Sequence, residues 1–286
     1  MTLKLIPVHE NHTSELARIC YQAFSEFQDC HAVSRDIPSL DAGRLVISHR
    51  LNRLDYTGVV ATIDDHIVGS NFLLHSDVVA GIGPLTVDPR AQSRGVGRAL
   101  MKWIIAECDR RSITQVRLFQ EAVNTTSLSL YAALGFTWRS SAALMQAYPA
   151  SADDPSIRPL TLADLAAIES LSCCAYGFSR AKDAAQLLKA NFPGFLRERD
   201  GRAVGYLIAT SFGHGGADTD DDLLALVAHA ARNLPSSMAR FICPLHRPDL
   251  FRRALANRHR IIKVLSYMSL GEFTEPPGAY LPSIQC

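Results

Sequence analysis

No stretch of the 286 residues approaches the ~18 consecutive apolar residues of a membrane span. The opening residues, MTLKLIPVHENHT, lack the apolar core of a secretory signal, so a cytoplasmic protein is expected. The net charge is only +1. That supplies no global field for nucleic acid or an anionic membrane, and no basic stripe with interleaved aromatics is present. The seven cysteines include no C-x-x-C pair, and Cys173-Cys174 is poor ligand spacing. The ten histidines include no H-x-x-x-H pair. No metal is expected, and the cysteines read as reduced thiols.

What is present is ordinary in bulk: 48% hydrophobic and 20% charged residues, as in a soluble globular protein. The length suits two domains.

The chain is organised around Gly81 to Arg111. An apolar strand through Leu85, Thr86 and Val87 is stopped by Asp88-Pro89, because proline cannot donate to a ladder. Gln92-Ser93-Arg94-Gly95-Val96-Gly97 makes a tight loop. A helix follows with Val96, Leu100, Trp103, Ile104 and Cys108 at helical spacing. The first N–H groups of such a helix have no internal partner and carry the positive end of its dipole, so an anion can sit there. Gly97 is followed by Arg98, not by Lys-Ser/Thr, which excludes a Walker loop. A dinucleotide fingerprint needs a third small residue and a place at the first strand, and this loop has neither. An ordinary strand–helix turn that binds nothing remains open at this point.

A second segment, Asn124 to Phe136 (NTTSLSLYAALGF), reads as a capped helix ended by Gly135. Gln92, Gly95 and Gly97 match a Q/R-x-x-G-x-G/A loop, and Val87-Asp88-Pro89 matches a V-x-P strand exit. Asn124, Ser127, Leu130, Tyr131, Gly135 and Phe136 match N-x-x-A/S-x-x-L-Y-x-x-x-G-F. With both motifs in order, the segment resembles the GCN5-related N-acetyltransferase (GNAT) family.

Around these motifs, residues 3–8 read as a strand, and Thr13 or Ser14 as the cap of a helix carrying Leu16, Ile19, Cys20, Ala23 and Phe24. Asp36-Ile37-Pro38 opens a second helix. Tyr56–Ile63 and His66–His75 form a hairpin about Asp64-Asp65, and Thr137–Tyr148 reads as the last strand of a first domain, 1–148. Residues 149–156 read as a linker. Residues 157–286 echo the first half: Ile157–Leu160 echoes Leu5–Val8, Leu162–Phe178 echoes the first helix, and Phe195–Gly205 echoes the hairpin ending at Gly69. The glycine loop is missing there. Asp218, Asp220, Asp221 and Asp222 stand at the corresponding helix start, so this copy is expected not to bind coenzyme A. Residues 271–286 read as a tail whose Tyr280, Leu281 and Ile284 favour docking.

The resemblance implies an α/β (α+β) fold of two tandem domains, each a mixed, mostly antiparallel sheet flanked by helices. It implies acetyl-coenzyme A as co-substrate, lying between the strands at Leu85–Val87 and Val116–Phe119. Its pantetheine would pair with backbone near Leu85, Thr86 and Val87, and its pyrophosphate would meet Gln92, Ser93, Arg94, Gly95, Val96, Gly97 and Arg98. Asn124, Ser127 and Tyr131 would line the arm. Tyr131 matches the family's general acid. No glutamate stands in Gly81-Ile82-Gly83-Pro84, where many relatives place a base. Glu121 is the first candidate, followed by Asp77 and His75, each also readable as a solvated side chain. Phe24, Phe27, Asp29, His31 and Asp36 are candidates for an acceptor site, or are half core and half turn. The implied activity is transfer of an acetyl group to an amine of a small molecule or peptide, by a monomer or homodimer. The competing class is a non-catalytic acyl-coenzyme A binder or scaffold.

Overall fold

The computed structural model describes residues 2–285. They form a mixed α/β fold divided into two compact units: Met1–Leu118 with Thr125–Phe136, and Phe119–Asn124 with Thr137–Cys286.

The first unit runs β1 (Leu3–Pro7), α1 (Thr13–Cys30), α2 (Leu40–Leu51), β2 (Tyr56–Ile63), β3 (His66–Leu74), β4 (Val79–Ile82), β5 (Thr86–Val87), α3 (Val96–Arg110), β6 (Gln115–Glu121) and α4 (Thr125–Ala132). The strand order is β1–β2–β3–β4–β6, antiparallel except for the β4–β6 pair. β2 and β3 are buried along most of their length, so they read as apolar runs rather than as alternating strands. Val60 and Phe72 pack against Leu16, Ala17, Cys20 and Ile47 of α1 and α2. His12, rather than Thr13 or Ser14, stands at the N-cap position of α1, without a side-chain capping bond, because a 3₁₀ turn at Glu10–His12 leads into the helix and the Thr13 hydroxyl donates back to Glu10 O. α2 starts at Ser39, whose hydroxyl accepts the Ala42 N–H at 3.2 Å.

The strand expected through Leu85–Val87 is two strands interrupted at Gly83-Pro84. β4 pairs with both β3 and β6, whereas β5 pairs with β3 alone. At that crossing the chains come close: a Cβ on Gly69 would lie 2.6 Å from Thr86 O.

The second unit runs β7 (Thr137–Gln146), β8 (Ile157–Pro159), α5 (Leu165–Tyr176), α6 (Ala181–Lys189), β9 (Gly194–Arg199), β10 (Arg202–Ile208), β11 (Gly215–Ala217), α7 (Asp220–Asn233), β12 (Arg240–Pro244), α8 (Pro248–Ala256), β13 (Arg260–Gly271) and β14 (Ala279–Leu281). One sheet has the order β14–β11–β10–β9–β8. In the other, the last residues of β6 are followed by β13, β7 and β12. The expected domain boundary at 148 thus falls inside this unit. β7 pairs antiparallel with β12 from Ala142 to Gln146 and with β13 along its whole length. Two helices, α6 and α8, were not read from the sequence. The tail does dock: β14 pairs with β11, and Ala279, Tyr280 and Leu281 are buried.

At the start of α7 every aspartate meets an arginine. Asp222 is wholly buried, 2.5 Å from Arg199 and 3.2 Å from Arg197. Asp220 lies 2.8 Å from Arg247, Asp218 pairs with Arg202, and Asp221 pairs with Arg253. No helix among the described residues is long and apolar enough to cross a membrane.

Candidate active site

β5 leads to the site. Gly69 pairs with Val87, Ser70 with Thr86, and the Asp88 N–H donates to Val68 O at 2.8 Å. Antiparallel ladders alternate, so the backbone polar groups of Thr86 and Asp88 face β3 and those of Leu85 and Val87 face the other edge. The pairing of β4 with β6 ends at Gly81 and Arg117. Beyond it, among the described residues, no strand covers that edge of β5. The side-chain amide of Gln92 lies near it, 3.4 Å from Val87 O. An extended ligand carrying amides can pair there as an added strand.

Asp88 fixes the exit from β5. Its buried carboxylate accepts from Arg90 N–H and Nε, each at 3.0 Å, and from Arg18 Nη2 at 2.9 Å. Arg90 and then Arg18 hold its pKa far below the usual carboxylate range. On the other side of the interruption, buried Arg50 donates from Nε to Gly83 O at 3.2 Å and from Nη1 to Val46 O at 2.7 Å. Neither arginine's role at the site carried a sequence signal, since Asp88 lies 70 residues from Arg18 and Gly83 lies 33 from Arg50.

The loop then turns through Ser93 at φ +61° and Gly95 at φ +80°, the left-handed region that glycine enters without a Cβ penalty. Gly95 is the N-cap of α3, and buried Val96 anchors the first turn. The first intrahelical bond is Ala99 N–H to Gly95 O at 3.0 Å. The amides of Val96, Gly97 and Arg98 therefore precede the ladder. Gln92, Ser93, Arg94 and Arg98 are exposed around them, and no acidic residue stands in the first turn. The turn thus presents first-turn amides and two arginines, with no acid in the first turn, beside the open strand edge.

α4 faces the same turn, with Leu130 nearest Gly97. Tyr131 is its buried residue. Burial pushes the phenol up to about 12, while a hydrogen bond from Ser127 opposes the rise. Asn124 stands in the turn before α4, its N–H donating to Glu121 O at 2.8 Å.

The base candidates fare differently. Glu121 and Lys263 form an ion pair at 2.9 Å, with side chains only 10% and 5% exposed. His75 is five residues beyond Ser70, the partner of Thr86, which is about 17 Å along an extended strand. Its Nε2 lies 3.0 Å from the Thr57 hydroxyl, and burial, with Arg111 nearby, pushes its pKa down. Asp77 follows two residues later, in the bend before β4.

The acceptor candidates cluster at the end of α1. The Phe27 and His31 rings stack at 4.2 Å, and His31 Nδ1 lies 2.9 Å from Phe27 O. Asp29 pairs with Arg35. Gln28, buried, clamps Asp36 through two 3.0 Å bonds. Phe24 packs into the core with α2. The polar members are thus engaged in holding the α1–α2 connection.

Residues 20–136 match the model of the acetyltransferase (GNAT) family. A mycothiol acetyltransferase of Saccharopolyspora erythraea is 27% identical over 124 residues, 42% of this chain and 39% of that protein. A ribosomal protein bS18-alanine N-acetyltransferase of Escherichia coli is 38% identical over 52 residues, 18% of this chain and 35% of that protein. The chain thus spans well under half the length of these curated relatives. A candidate acetyltransferase structure from Pyrococcus horikoshii shares the fold, with a TM-score of 0.81 at 14% identity over 99% of this chain and 94% of that one. The open edge of β5, the glycine turn and α4 all lie within the span that matches, so residues 20–136 carry the match to a GNAT acetyltransferase domain.

Proposed function

We propose that the first unit is an N-acetyltransferase that takes its acetyl group from acetyl-coenzyme A and delivers it to an amine. One observation carries the reading: among the described residues no strand pairs with the Leu85–Val87 edge of β5, beside the acid-free first turn of α3. The pantetheine amides pair with that edge, and the pyrophosphate meets the amides of Val96 to Arg98.

In direct attack the amine nitrogen bonds to the thioester carbon, the carbon–sulfur bond breaks, one proton leaves nitrogen and one arrives at sulfur. A thiol of this kind has a pKa of about 8.5, and Tyr131 stands at about 12. Outright transfer from Tyr131 would be uphill by roughly 5 kcal/mol at 1.36 kcal/mol per pKa unit. Tyr131 is better suited to hydrogen-bond the sulfur as charge develops, with the nitrogen's proton following through solvent. Glu121, held by Lys263, is poorly placed to be the base. The amine then arrives neutral or loses its proton to water.

That same ion pair favours a second reading, a coenzyme A binder without turnover. Coenzyme A release, measured with acetyl-coenzyme A and a panel of primary amines, separates the two. Release above the amine-free rate supports transfer. Tight binding without release supports the binder, and no binding removes both.

We further propose that residues 157–286 derive from a second copy. The supporting relation is register: Gly205 pairs with Ala217 and Asp218 N–H donates to Val204 O at 2.8 Å, as Gly69 pairs with Val87 and Asp88 N–H donates to Val68 O. A reducing, cytoplasmic setting suits the free cysteines among the described residues.

A further inference from the structure

The two units treat the same strand edge in opposite ways. By register, β11 corresponds to β5: Ala217 to Val87, Gly216 to Thr86 and Gly215 to Leu85. The ladder phase also agrees. Asp218 N–H donates to Val204 O and Ile208 N–H donates to His214 O, so Gly215 and Ala217 turn their backbone groups away from β10. In the first unit the matching edge is the one assigned above to the pantetheine arm. In the second it is occupied by β14, with Gly215 opposite Leu281, Gly216 opposite Tyr280 and Ala217 opposite Ala279.

The other half of the site is closed as well. Seven residues, 89–95, separate Asp88 from α3, but Thr219 alone separates Asp218 from α7. The Thr219 hydroxyl accepts the Asp222 N–H at 3.2 Å, where an anion would otherwise sit. The second unit therefore has an arm slot with no pyrophosphate turn.

We infer that β14 is a built-in occupant of the second unit's pantetheine slot, a peptide strand standing where the coenzyme's two-amide arm would pair. The inference rests on the coenzyme reading of the first unit. The strand is held at both ends. The Tyr176 hydroxyl lies 2.6 Å from Leu281 O and 2.9 Å from Gly215 O, bridging β14 to β11. Arg247 Nη1 donates to Gly278 O at 2.6 Å, the Gly278 N–H donates to Ala175 O at 3.0 Å, and the Ile284 N–H donates to Ser211 O at 2.7 Å. The segment crosses α5 so closely that a Cβ on Gly278 would lie 2.7 Å from Cys174 O. Pantetheine is an extended chain whose two amides are separated by two methylenes where a peptide has one Cα, so it can pair with part of the ladder that holds β14. Full coenzyme A does not fit this description, because its pyrophosphate would meet Asp220, Asp221 and Asp222.

The test uses the whole chain carrying Leu281→Pro, which removes a ladder N–H from β14, and a second chain ending after Gly271. Amide exchange at Gly215 and Ala217 is followed with and without millimolar pantetheine. In both variants these amides should exchange at least tenfold faster than in the wild type, and pantetheine should restore protection. A synthetic peptide of residues 272–286 should rebind the shortened chain and be displaced by pantetheine. If exchange rises and pantetheine restores nothing, or if the peptide binds and pantetheine leaves it in place, the slot is not an arm site and the inference falls. If either variant loses exchange protection throughout the second unit, β14 is an integral sheet strand rather than an occupant, which also overturns it. Failure of the first unit's coenzyme reading would show separately, as absence of coenzyme A binding to the wild type.

Discussion

Lys263 reaches across 142 positions of sequence to place its ammonium 2.9 Å from the carboxylate of Glu121. Both side chains are almost fully buried. A buried pair of this kind is costly to break from one side and cheap to replace from both. Glu121→Gln should therefore lower the unfolding free energy by about 3 kcal/mol, and Glu121→Gln with Lys263→Met should recover most of that loss. Denaturant unfolding reads both. The single variant should keep its turnover number within about threefold when assayed well below its midpoint. A larger fall in turnover, with the fold intact, would return Glu121 to the role of base.

The two loop glycines should separate strain from ligand contact. Gly95 sits at φ +80°, so Gly95→Ala should cost about 1 kcal/mol of stability. Gly97 has an ordinary helical backbone, and an added Cβ would lie 3.5 Å from Leu130 and 3.9 Å from Val87, normal contact distances. Gly97→Ala should leave stability nearly unchanged and weaken acetyl-coenzyme A binding. Gly97→Asp should abolish binding, by setting a negative charge among the first-turn amides. Calorimetry of acetyl-coenzyme A binding, beside thermal melts, checks all three. Unchanged affinity in Gly97→Asp would remove the pyrophosphate site.

Tyr131→Phe removes a hydrogen-bond donor to the developing thiolate, so it should lower the turnover number roughly a hundredfold and leave acetyl-coenzyme A binding within a few-fold. With its pKa raised to about 12, Tyr131 stays protonated through pH 10. The wild-type rate should therefore rise with pH as the amine is deprotonated, without an alkaline fall due to this phenol. A fall below pH 10 that disappears in Tyr131→Phe would contradict the assignment.

His259 is 2% exposed, accepts the Tyr148 N–H at 2.9 Å, and is held neutral by burial down to about pH 4. Its ordinary value is 6.5, so between 6.5 and about 4 the unfolded chain binds a proton that the folded chain does not. Stability is then lost as pH falls through that window, by roughly 3 kcal/mol at about 1.4 kcal/mol per pH unit. His259→Gln should flatten this slope, which denaturant midpoints at pH 7 and pH 4.5 would show.

The parts legible in the sequence were those set by local chemistry. Asp88-Pro89, the glycine at positive φ and the periodic residues of α3 act within a few positions of each other, and they gave the strand exit, loop and helix in order. The hairpin about Asp64 and Asp65 was legible for the same reason: both residues adopt positive φ in a two-residue turn. What was not legible is held by distant partners. Nothing near Thr137–Gln146 says that its neighbours are Arg240–Pro244 and Arg260–Gly271. Nothing near Glu121 says that Lys263 answers it. α8 was missed although Pro248 marks its start: it is only nine residues long, and Leu250 and Ala254 are its buried positions. The acceptor candidates were adjacent in sequence, but adjacency did not reveal that Asp29 and Asp36 were already engaged by Arg35 and Gln28.

The membership of β7 also bears on how this protein is made and cut. During synthesis β7 leaves the ribosome well before Arg240–Pro244 and Arg260–Gly271 exist to pair with it, so its apolar half, Ala142–Met145, waits with both edges bare, the state in which strands stick to one another. A chain ending in the stretch after Tyr148, where composition suggests a boundary, would never gain those partners. The piece that is separable by contacts is not separable by scissors.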